Sequence, residues 1–373
     1  MMANAPKVTL LFLLYNASRT VEQLLDRALS QVHPDFKDQK DWLKIRFADD
    51  CSRDDTLVKL QKAHEAKGSP AHVEIIRNPK NLGLAGSLNH HLKQIETPYV
   101  LTCHLDCFFA ETDYITRMLW FMEEDSKIAV VTGKPVLDPK KTSYIEKINT
   151  IVNMMDVLPL STESTLASIG FAEGRCDLFR HSALKEVGFY PTELRTSGED
   201  QLLAIRFREK GYTLNQALQA HYELSVSEDQ NSLKKIITHT HLFGRTSPAI
   251  LKRGKPAMDG LSLATGGYNR FQRKKLRRLQ ILHALNLFGM VFLGLPALWL
   301  LGPGILTTFL AMEVILLFAK HLLLRPYFRF IGLGLTERAQ VFFVFYAIDL
   351  AYFFGFVEGA LKTFTLKSGE SIS

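Results

Sequence analysis

The stretch that decides the fold is VLTCHLDCFF, residues 100–109. Its apolar and β-branched residues, which stop at a turn, predict a buried strand, and ligands of open α/β sheets bind beyond the carboxyl ends of such strands. We therefore expect Asp106 at the edge of the sheet, with His104 on the same side because side chains alternate along a strand. There the two side chains can hold a divalent cation against a diphosphate. The alternative is an aspartate that caps the strand and a histidine that packs in the sheet.

Strands and helices alternate on both sides of this stretch. The patterns predict further strands at 8–15, 43–47, 72–76 and 128–133, and helices at 18–31, 56–65, 85–95, 115–124, 143–157, 182–187 and 199–210. Residues 170–180 appear as an irregular segment. The apolar run after Lys7 resembles a short signal peptide, but it leads straight into a helical pattern and predicts a first strand. The alternation predicts an α/β fold with a mostly parallel sheet.

The composition changes sharply along the 373 residues. Up to about Tyr268 the chain mixes charged and apolar residues, whereas long apolar segments begin at Ile281. The net charge of +7 has a local source, a basic cluster just before the first apolar segment, formed by Arg270, Arg273, Lys274, Lys275, Arg277 and Arg278. Such a cluster stays in the cytoplasm beside anionic headgroups. No basic and aromatic stripe predicts a nucleic-acid partner, and the four cysteines, none in a CxxC pair, suit a reducing compartment.

Three apolar segments end the chain, at 281–301, 305–324 and 339–361. The first two are long enough to cross about 30 Å of hydrocarbon, and the GPG turn between them predicts a hairpin whose basic ends, at Arg278 and Arg325, face the cytoplasm. The third contains Asp349 and Glu358, so both a crossing helix and an interfacial one remain open. We predict a catalytic domain at 1–250, a linker and basic segment at 251–280, a membrane region at 281–363 and a tail at 364–373.

Two polar motifs follow the predicted strands. ADDCSRDDT places Asp49 and Asp50 where their carboxylates can accept hydrogen bonds from a nucleobase or a ribose, unless the turn is only a solvated loop. NLGLAGSLNHHL contains Asn81, Gly83 and Asn89, and its glycines allow close backbone approach at a helix start. Neither a dinucleotide fingerprint nor a phosphate-binding P-loop is present.

A third motif opens the helix predicted at 199–210. Glu199 and Asp200 follow Ser197 and Gly198. Acidic residues in the first turn of a helix are favoured by the helix dipole alone. The functional interpretation is a general base at the helix start, placed to take a proton from an acceptor hydroxyl.

Taken in order, these motifs resemble the family 2 glycosyltransferases of the GT-A fold. The resemblance covers roughly residues 7–225 and rests on YN, DDxSxDDT, NxGxxxSxN, xLD, GRxxxFRxxAL, GED and LxxRxxxxGY. It implies a Rossmann-like nucleotide-sugar-binding domain of mostly parallel strands followed by an all-α membrane region. It also implies an inverting enzyme with a UDP- or GDP-sugar donor and a divalent metal, Mn2+ or Mg2+.

The resemblance assigns roles to particular residues. Asp106 matches the second acid of the family's DxD motif, which binds metal and diphosphate, and His104 replaces the first acid. Imidazole is a better ligand for manganese than for magnesium. Asp200 would be the catalytic base with Glu199 beside it, and His221 would be a further metal ligand or would face the diphosphate. The residues expected to bind the nucleotide sugar are Tyr15, Asn16, Asp49, Asp50, Asn81, Gly83, Asn89 and Asp106.

These roles predict a membrane-anchored inverting glycosyltransferase of the bacterial inner membrane, with its active site in the cytoplasm. The QxxRW motif of processive synthases is replaced by THTHLFGRT at 238–246, which favours transfer of one sugar to a lipid-linked or saccharide acceptor in envelope or exopolysaccharide synthesis. One alternative is a polyprenyl-phosphate sugar synthase, whose phosphate acceptor needs no base. Another is an inactive sugar-nucleotide-binding membrane scaffold, which His104 favours.

Overall fold

The protein divides into two compact units. The computed structural model describes residues 6–137, 142–152, 165–193, 198–225, 231–253, 279 and 282–365. Of these, the first unit contains 6–136, 165–193 and 198–225, and the second contains the remainder. The predicted basic cluster at 270–278, most of the linker before it and the tail after 365 lie outside the described residues.

The first unit is built on one nine-stranded mixed sheet. Its strands are β1 Val8–Leu14, β2 Leu43–Asp49, β3 Val73–Arg77, β4 Tyr99–Cys103, β5 Cys107–Phe109, β6 Ile128–Val136, β7 Leu166–Ser168, β8 Cys176–Arg180 and β9 Thr213–Leu224. They follow the order β3-β2-β1-β4-β8-β6-β9-β5, with β7 paired to β9. β3, β2, β1 and β4 are parallel, β8 runs antiparallel to both its neighbours, and β6 and β9 are parallel. The prediction of an α/β fold with a mostly parallel sheet is confirmed.

Helices cover both faces of this sheet. They are α1 Val21–Leu29, α2 Thr56–Ala66, α3 Leu84–Leu92, α4 Tyr114–Glu124, α6 His181–Glu186 and α7 Glu199–Glu209. Alternate residues of a strand serve separate cores: in β1, Leu10 and Phe12 pack in one cluster and Leu11 packs in the other. Strands buried on both faces have nearly continuous apolar sequences, which explains why the apolar runs located β1 and β4.

Residues 100–109, the stretch that decides the fold, contain parts of two strands instead of one. β4 ends at Cys103, and the chain turns at residues 104–106 before β5 begins at Cys107. β4 pairs with β1 and β8, whereas β5 pairs with β9 at the far edge. The prediction of one continuous strand is therefore wrong, because two different partners take the two halves. Residues 176–180, predicted as irregular, form the central strand β8.

The second unit contains the apolar helices. Its elements are α5 Tyr144–Val152, α8 Leu233–Arg253, α9 Leu282–Leu301, α10 Gly304–Phe330 and α11 Leu335–Thr365. By length and composition α9, α10 and α11 could each cross a membrane. α9 contains a π-helical turn at Met290–Gly294 just before Pro296, because proline cannot donate to the preceding turn and displaces its carbonyl groups. The predicted helix at 143–157 is described only to Val152, and α5 and α8 lie within the range predicted for the catalytic domain.

Glycines bring α8 and α11 into close contact. A side chain at Gly355 or Gly359 of α11 would collide with backbone carbonyl groups of α8, and one at Gly244 of α8 would collide with the Tyr352 carbonyl. Small residues spaced four apart permit such backbone approach between helices. Glu358 lies 3.4 Å from His241 Nε2 of α8, so this acidic residue of the third apolar segment has a partner.

The other acidic residue of that segment is also paired. Lys320 Nζ of α10 donates to Asp349 Oδ1 at 2.7 Å and to Oδ2 at 2.6 Å, with both side chains buried. A second buried pair joins His283 of α9 to Glu313 of α10, at 2.8 Å. Pairing lowers the cost of charged groups inside an apolar bundle.

Candidate active site

The carboxyl ends of β1, β2 and β4 meet at one edge of the sheet. In the parallel register Leu14 lies opposite Asp49, and Phe12 lies opposite Cys103. The residues that continue these strands therefore share the edge, and they are Tyr15 and Asn16 after β1, Asp50 after β2 and His104 after β4. The structure thus brings together the predicted nucleotide-binding residues of three separate motifs. The Tyr15 side chain is 42% exposed.

Asp49 holds the loop that follows it. Its side chain is completely buried, and the Ser52 N–H donates to its two carboxylate oxygens at 3.2 and 3.3 Å. Arg77 Nε at the end of β3 lies 3.5 Å from Asp49 Oδ2. The carboxylate therefore fixes the ADDCSRDDT turn against the sheet edge.

Asp50 holds a second loop in the same way. The Leu82 N–H donates to Asp50 Oδ1 at 2.9 Å, the Gly83 N–H donates to Oδ2 at 3.1 Å, and Asn78 Nδ2 donates to Oδ1 at 2.7 Å. Gly83 has φ of 70°, a conformation that favours glycine and aims this N–H at the carboxylate. Asp49 and Asp50 therefore shape the edge through two loops, and their direct contact with a nucleoside stays a prediction.

The predicted asparagines also fix the backbone around the edge. Asn16 Oδ1 accepts a hydrogen bond from the Arg53 N–H at 2.9 Å. Asn81 Nδ2 donates to the Asp50 carbonyl at 3.1 Å. The Asn89 amide makes two hydrogen bonds with the backbone of the loop that precedes α7, at 2.8 and 2.9 Å. Each side chain sets a loop position, so their contact with a sugar nucleotide also stays a prediction.

His104 and Asp106 lie close together in the turn between β4 and β5. His104 Nδ1 is 3.8 Å from Asp106 Oδ1, and the two side chains are 44% and 21% exposed. Two hydrogen bonds fix the turn: the His104 N–H donates to the Arg175 carbonyl at 2.7 Å, and the Cys107 N–H donates to the His104 carbonyl at 3.2 Å. The pair is close because of this turn and not because side chains alternate along a strand.

The donor atoms of this pair fit a divalent cation. One imidazole nitrogen and one carboxylate oxygen suit Mn2+ better than Mg2+. Among the described residues, no group of three or more His, Cys, Asp or Glu side chains is arranged to hold a metal. The protein would therefore supply two ligands, and oxygens of a diphosphate and of water would complete the coordination.

His221 does not join His104 and Asp106. Its Nδ1 lies 2.6 Å from Glu111 Oε1, and its N–H donates to Glu111 Oε2 at 2.9 Å. Along β9, the Ser225 N–H donates to the Asp106 carbonyl at 2.8 Å, and four strand residues span about 13 Å. The sheet register thus separates His221 from the other two predicted ligands, and its side chain pairs with Glu111 instead.

Glu199 and Asp200 occupy the first turn of α7, directly after Gly198. Gly198 has φ of 95°, in the left-handed region that favours glycine. Desolvation by burial raises the pKa of Asp200 well above its ordinary value, and the charge of Glu199 raises it further. Burial also raises the pKa of Glu199, while the charge of His104 lowers it. The acids of α7 therefore lie within electrostatic reach of the His104 turn, and a carboxyl group with a raised pKa is a candidate base.

The sequence patterns did not single out three charged residues beside this site. Arg175 Nε lies 3.2 Å from Glu173 Oε2, and the negative charge of Asp106 is among those that raise the pKa of Arg175. Asp177 follows in β8 and is completely buried. The GRxxxFR motif contains Arg175 and Asp177, so the sequence carried a signal for these residues. The spacing of the motif, however, indicated no function for either of them.

The mixed α/β sheet, the loops at the ends of β1 and β2, the short turn after β4 and the carboxylate pair at the start of α7 together have the GT-A-like architecture. The family model for glycosyl transferase family 2 matches residues 10–188. Residues 10–188 therefore have the sequence pattern of a family 2 glycosyltransferase domain.

Two curated relatives agree with this assignment. The chain is 29% identical over 193 residues to a poly-beta-1,6-N-acetyl-D-glucosamine synthase of Staphylococcus epidermidis, a match that covers 51% of this chain and 43% of the synthase. The chain therefore matches less than half of that relative's length. It is also 29% identical over 241 residues to the glycosyltransferase EpsE of Bacillus subtilis, covering 63% of this chain and 77% of EpsE.

The fold is similar to that of a solved mannosyltransferase, PcManGT from Pyrobaculum calidifontis, in complex with GDP-Man and Mn2+. The TM-score is 0.56 at 15% identity, with 96% of this chain and 87% of that chain covered. At this identity the likeness concerns the fold alone, and it agrees with the GT-A architecture.

Proposed function

We propose that this protein is a membrane-anchored, inverting glycosyltransferase that moves one sugar from a UDP- or GDP-sugar to a lipid-linked or saccharide acceptor. The proposal is carried by the closeness of two groups of acidic residues, one in the turn after β4 and one at the start of α7. The His104 and Asp106 turn lies within electrostatic reach of Glu199 at the start of α7. Sugar transfer needs one group that holds the donor diphosphate and a second group that receives the proton of the acceptor hydroxyl, both held near the reacting carbon.

The donor would lie along the edge formed by the loops of Asp49 and Asp50. Tyr15, 42% exposed, would cover the nucleoside, and Asp106 with His104 would hold a divalent metal. When bound, that metal stabilises the negative charge that develops on the departing diphosphate. PcManGT, which shares the fold, was solved with GDP-Man and Mn2+, which supports this class of donor and cation.

Asp200 would act as the base. The acceptor O–H bond breaks as its oxygen attacks the anomeric carbon, the proton passes to Asp200, and the bond from that carbon to the diphosphate oxygen breaks with its electron pair. Attack from the face opposite the leaving group inverts the anomeric configuration. The raised pKa of Asp200 supports this role because a base works best when its pKa lies near the operating pH.

The membrane region supports a lipid-proximal acceptor. Three helices are long and apolar enough to span a bilayer, and the basic cluster at 270–278 precedes them in the sequence and would keep the active site on the cytoplasmic side of a bacterial inner membrane. The names of the relatives, a polysaccharide synthase and a glycosyltransferase, support a role in envelope or exopolysaccharide synthesis.

The test uses the full-length protein purified in detergent, with a panel of UDP- and GDP-sugars, Mn2+ and both acceptor classes. We expect transfer with inverted anomeric configuration, and Asp200→Asn should lower kcat by about 100-fold or more while nucleotide affinity is retained. The control is Glu209→Gln, an exposed carboxylate in the same helix. Retained activity of Asp200→Asn with polyprenyl phosphate as sole acceptor would indicate a polyprenyl-phosphate sugar synthase. No metal-dependent affinity for UDP or GDP would indicate an inactive scaffold.

A further inference from the structure

A second carboxyl group, that of Asp177, lies on the same side of the sheet as the proposed base, Asp200. Asp177 is completely buried in β8, where its neighbours Cys176 and Leu178 pack into one core of the sheet. Because side chains alternate along a strand, Asp177 faces the opposite side, together with Phe179. Phe179 lines one small cavity with Asp200, so Asp177 and Asp200 lie on the same side of the sheet.

Asp177 lacks a hydrogen-bond partner. Neither of its carboxylate oxygens has one among the described residues. Its neighbours across the sheet are Thr102 of β4 and Thr132 of β6. The Thr132 hydroxyl and the Gly174 N–H lie near enough to lower its pKa, but neither makes a well-formed hydrogen bond. An ionised carboxylate without partners is costly in such a place.

The surroundings favour the neutral acid. Burial raises the pKa of Asp177 to about 7, with a further rise from Glu173 and an opposing effect from Arg175. The negative charge of Asp177 in turn raises the pKa of Asp200. The titratable or charged groups that act on the two carboxyls, or on which they act, are Glu173 and Arg175 before β8, Tyr190 before α7, and Glu199 within α7.

Tyr190 lies near enough to both carboxyl groups for their charges to act on it. Its ring contacts Phe179 edge-on at 6.1 Å between centroids and lines the cavity with Asp200. Burial and the charge of Asp177 raise its pKa well above the ordinary value, so the phenol stays neutral. Two carboxyl groups that share a dry region with a neutral phenol do not both ionise readily.

We propose that Asp177 is a positioning residue whose charge acts on Asp200 across this buried region and so sets the pH at which Asp200 can act as a base. This inference rests on the proposed function. While Asp177 holds the proton, Asp200 is ionised and can take the acceptor hydroxyl's proton. When Asp177 is ionised, its charge holds the proton on Asp200 and blocks that step.

The test compares Asp177→Asn with the wild type in the full-length enzyme. The asparagine is nearly isosteric with the neutral acid and cannot ionise, so the acid limb of the kcat/KM profile should move down by about one pH unit, with the plateau nearly retained. The control is Asp35→Asn, whose side chain is 82% exposed. A folded, active Asp177→Asn enzyme with an unmoved acid limb would overturn the inference, because a merely structural role changes yield or stability alone.

A second measurement needs no turnover. Infrared difference spectra during pH titration report the carbonyl stretch of protonated carboxyl groups, and Asp177→Asn identifies the band of Asp177. Replacing Asp200 by Asn should lower the pH at which that band disappears. Such a shift in a protein that transfers no sugar would support the coupling between the two carboxyl groups and refute the proposed function. A band that titrates identically with and without Asp200 would refute that coupling.

Discussion

Asn89 of α3 and Tyr190 of the loop before α7 are joined by two hydrogen bonds. Asn89 Nδ2 donates to the Tyr190 carbonyl at 2.8 Å, and the Tyr190 N–H donates to Asn89 Oδ1 at 2.9 Å. This amide pair connects the helix after the Asp50 loop with the segment that carries the proposed base. The two hydrogen bonds therefore tie α3 to the loop before α7.

Asn89→Asp should destabilise this connection. A carboxylate can still accept from the Tyr190 N–H, but it cannot donate to the carbonyl, and an unsatisfied buried carbonyl costs about 1–3 kcal/mol. We expect a lower midpoint of thermal unfolding. Asn231→Asp, at an exposed position, is the control and should leave the midpoint unchanged. Equal midpoints for both variants would mean that the pair carries no stability.

His104→Asp should change the metal preference. The substitution restores two carboxylates to the turn, and hard oxygen ligands suit Mg2+ whereas imidazole favours Mn2+. Nucleotide binding measured by calorimetry should gain affinity in Mg2+ relative to Mn2+ by about tenfold, a magnitude typical of a lost or gained ligand interaction. His90→Asp, on the exposed face of α3, should leave the ratio of the two affinities as it is in the wild type.

The stability of the protein should depend on pH through Asp177. Its pKa rises from 3.8 to about 7 on folding, so the folded state keeps a proton that the unfolded state loses, and stability falls as the pH rises between these values. A shift of this size corresponds to roughly 4 kcal/mol. Asp177→Asn should therefore be more stable than the wild type above pH 7 and should lose that advantage near pH 4, as measured by thermal unfolding. An identical pH dependence for the two proteins would contradict this.

Gly359→Ala should weaken the packing of α8 on α11. The added methyl group would collide with the Arg245 carbonyl, and overpacking of this kind costs about 1–3 kcal/mol. Thermal unfolding in detergent and protease cleavage within α8 should both reveal the loss. Gly304→Ala is the matched control, because a Cβ there has no neighbour within 4 Å.

Lys320→Met should lower the thermal stability of the protein more than replacement of both members of its ion pair does. The single change leaves the buried Asp349 without its partner at 2.6 Å, which costs about 3–5 kcal/mol, whereas an apolar pair of similar volume is often neutral. The double variant Lys320→Met with Asp349→Leu should recover most of the lost thermal stability. No recovery would mean that the surroundings require both charges.

Much of the architecture follows from local sequence. The apolar runs located β1 to β4, and the helical spacing located α1 to α4 within a few residues. The three apolar segments form helices as expected, including the third, through Asp349 and Glu358. The ordered motifs also indicated the family whose model matches residues 10–188, because each strand end with its polar turn is a local pattern that needs no knowledge of distant partners.

The placement of the remaining residues was decided by tertiary structure. The split of residues 100–109, the central position of β8, the separation of His221 from Asp106 and the burial of Asp177 all result from pairing between strands far apart in the chain. Sequence by itself determined β1 to β4, most of the helices and the polar turns, because periodicity and turn chemistry act over a few residues. Only the folded sheet decided which side chains meet, because register and burial depend on contacts that no local pattern contains.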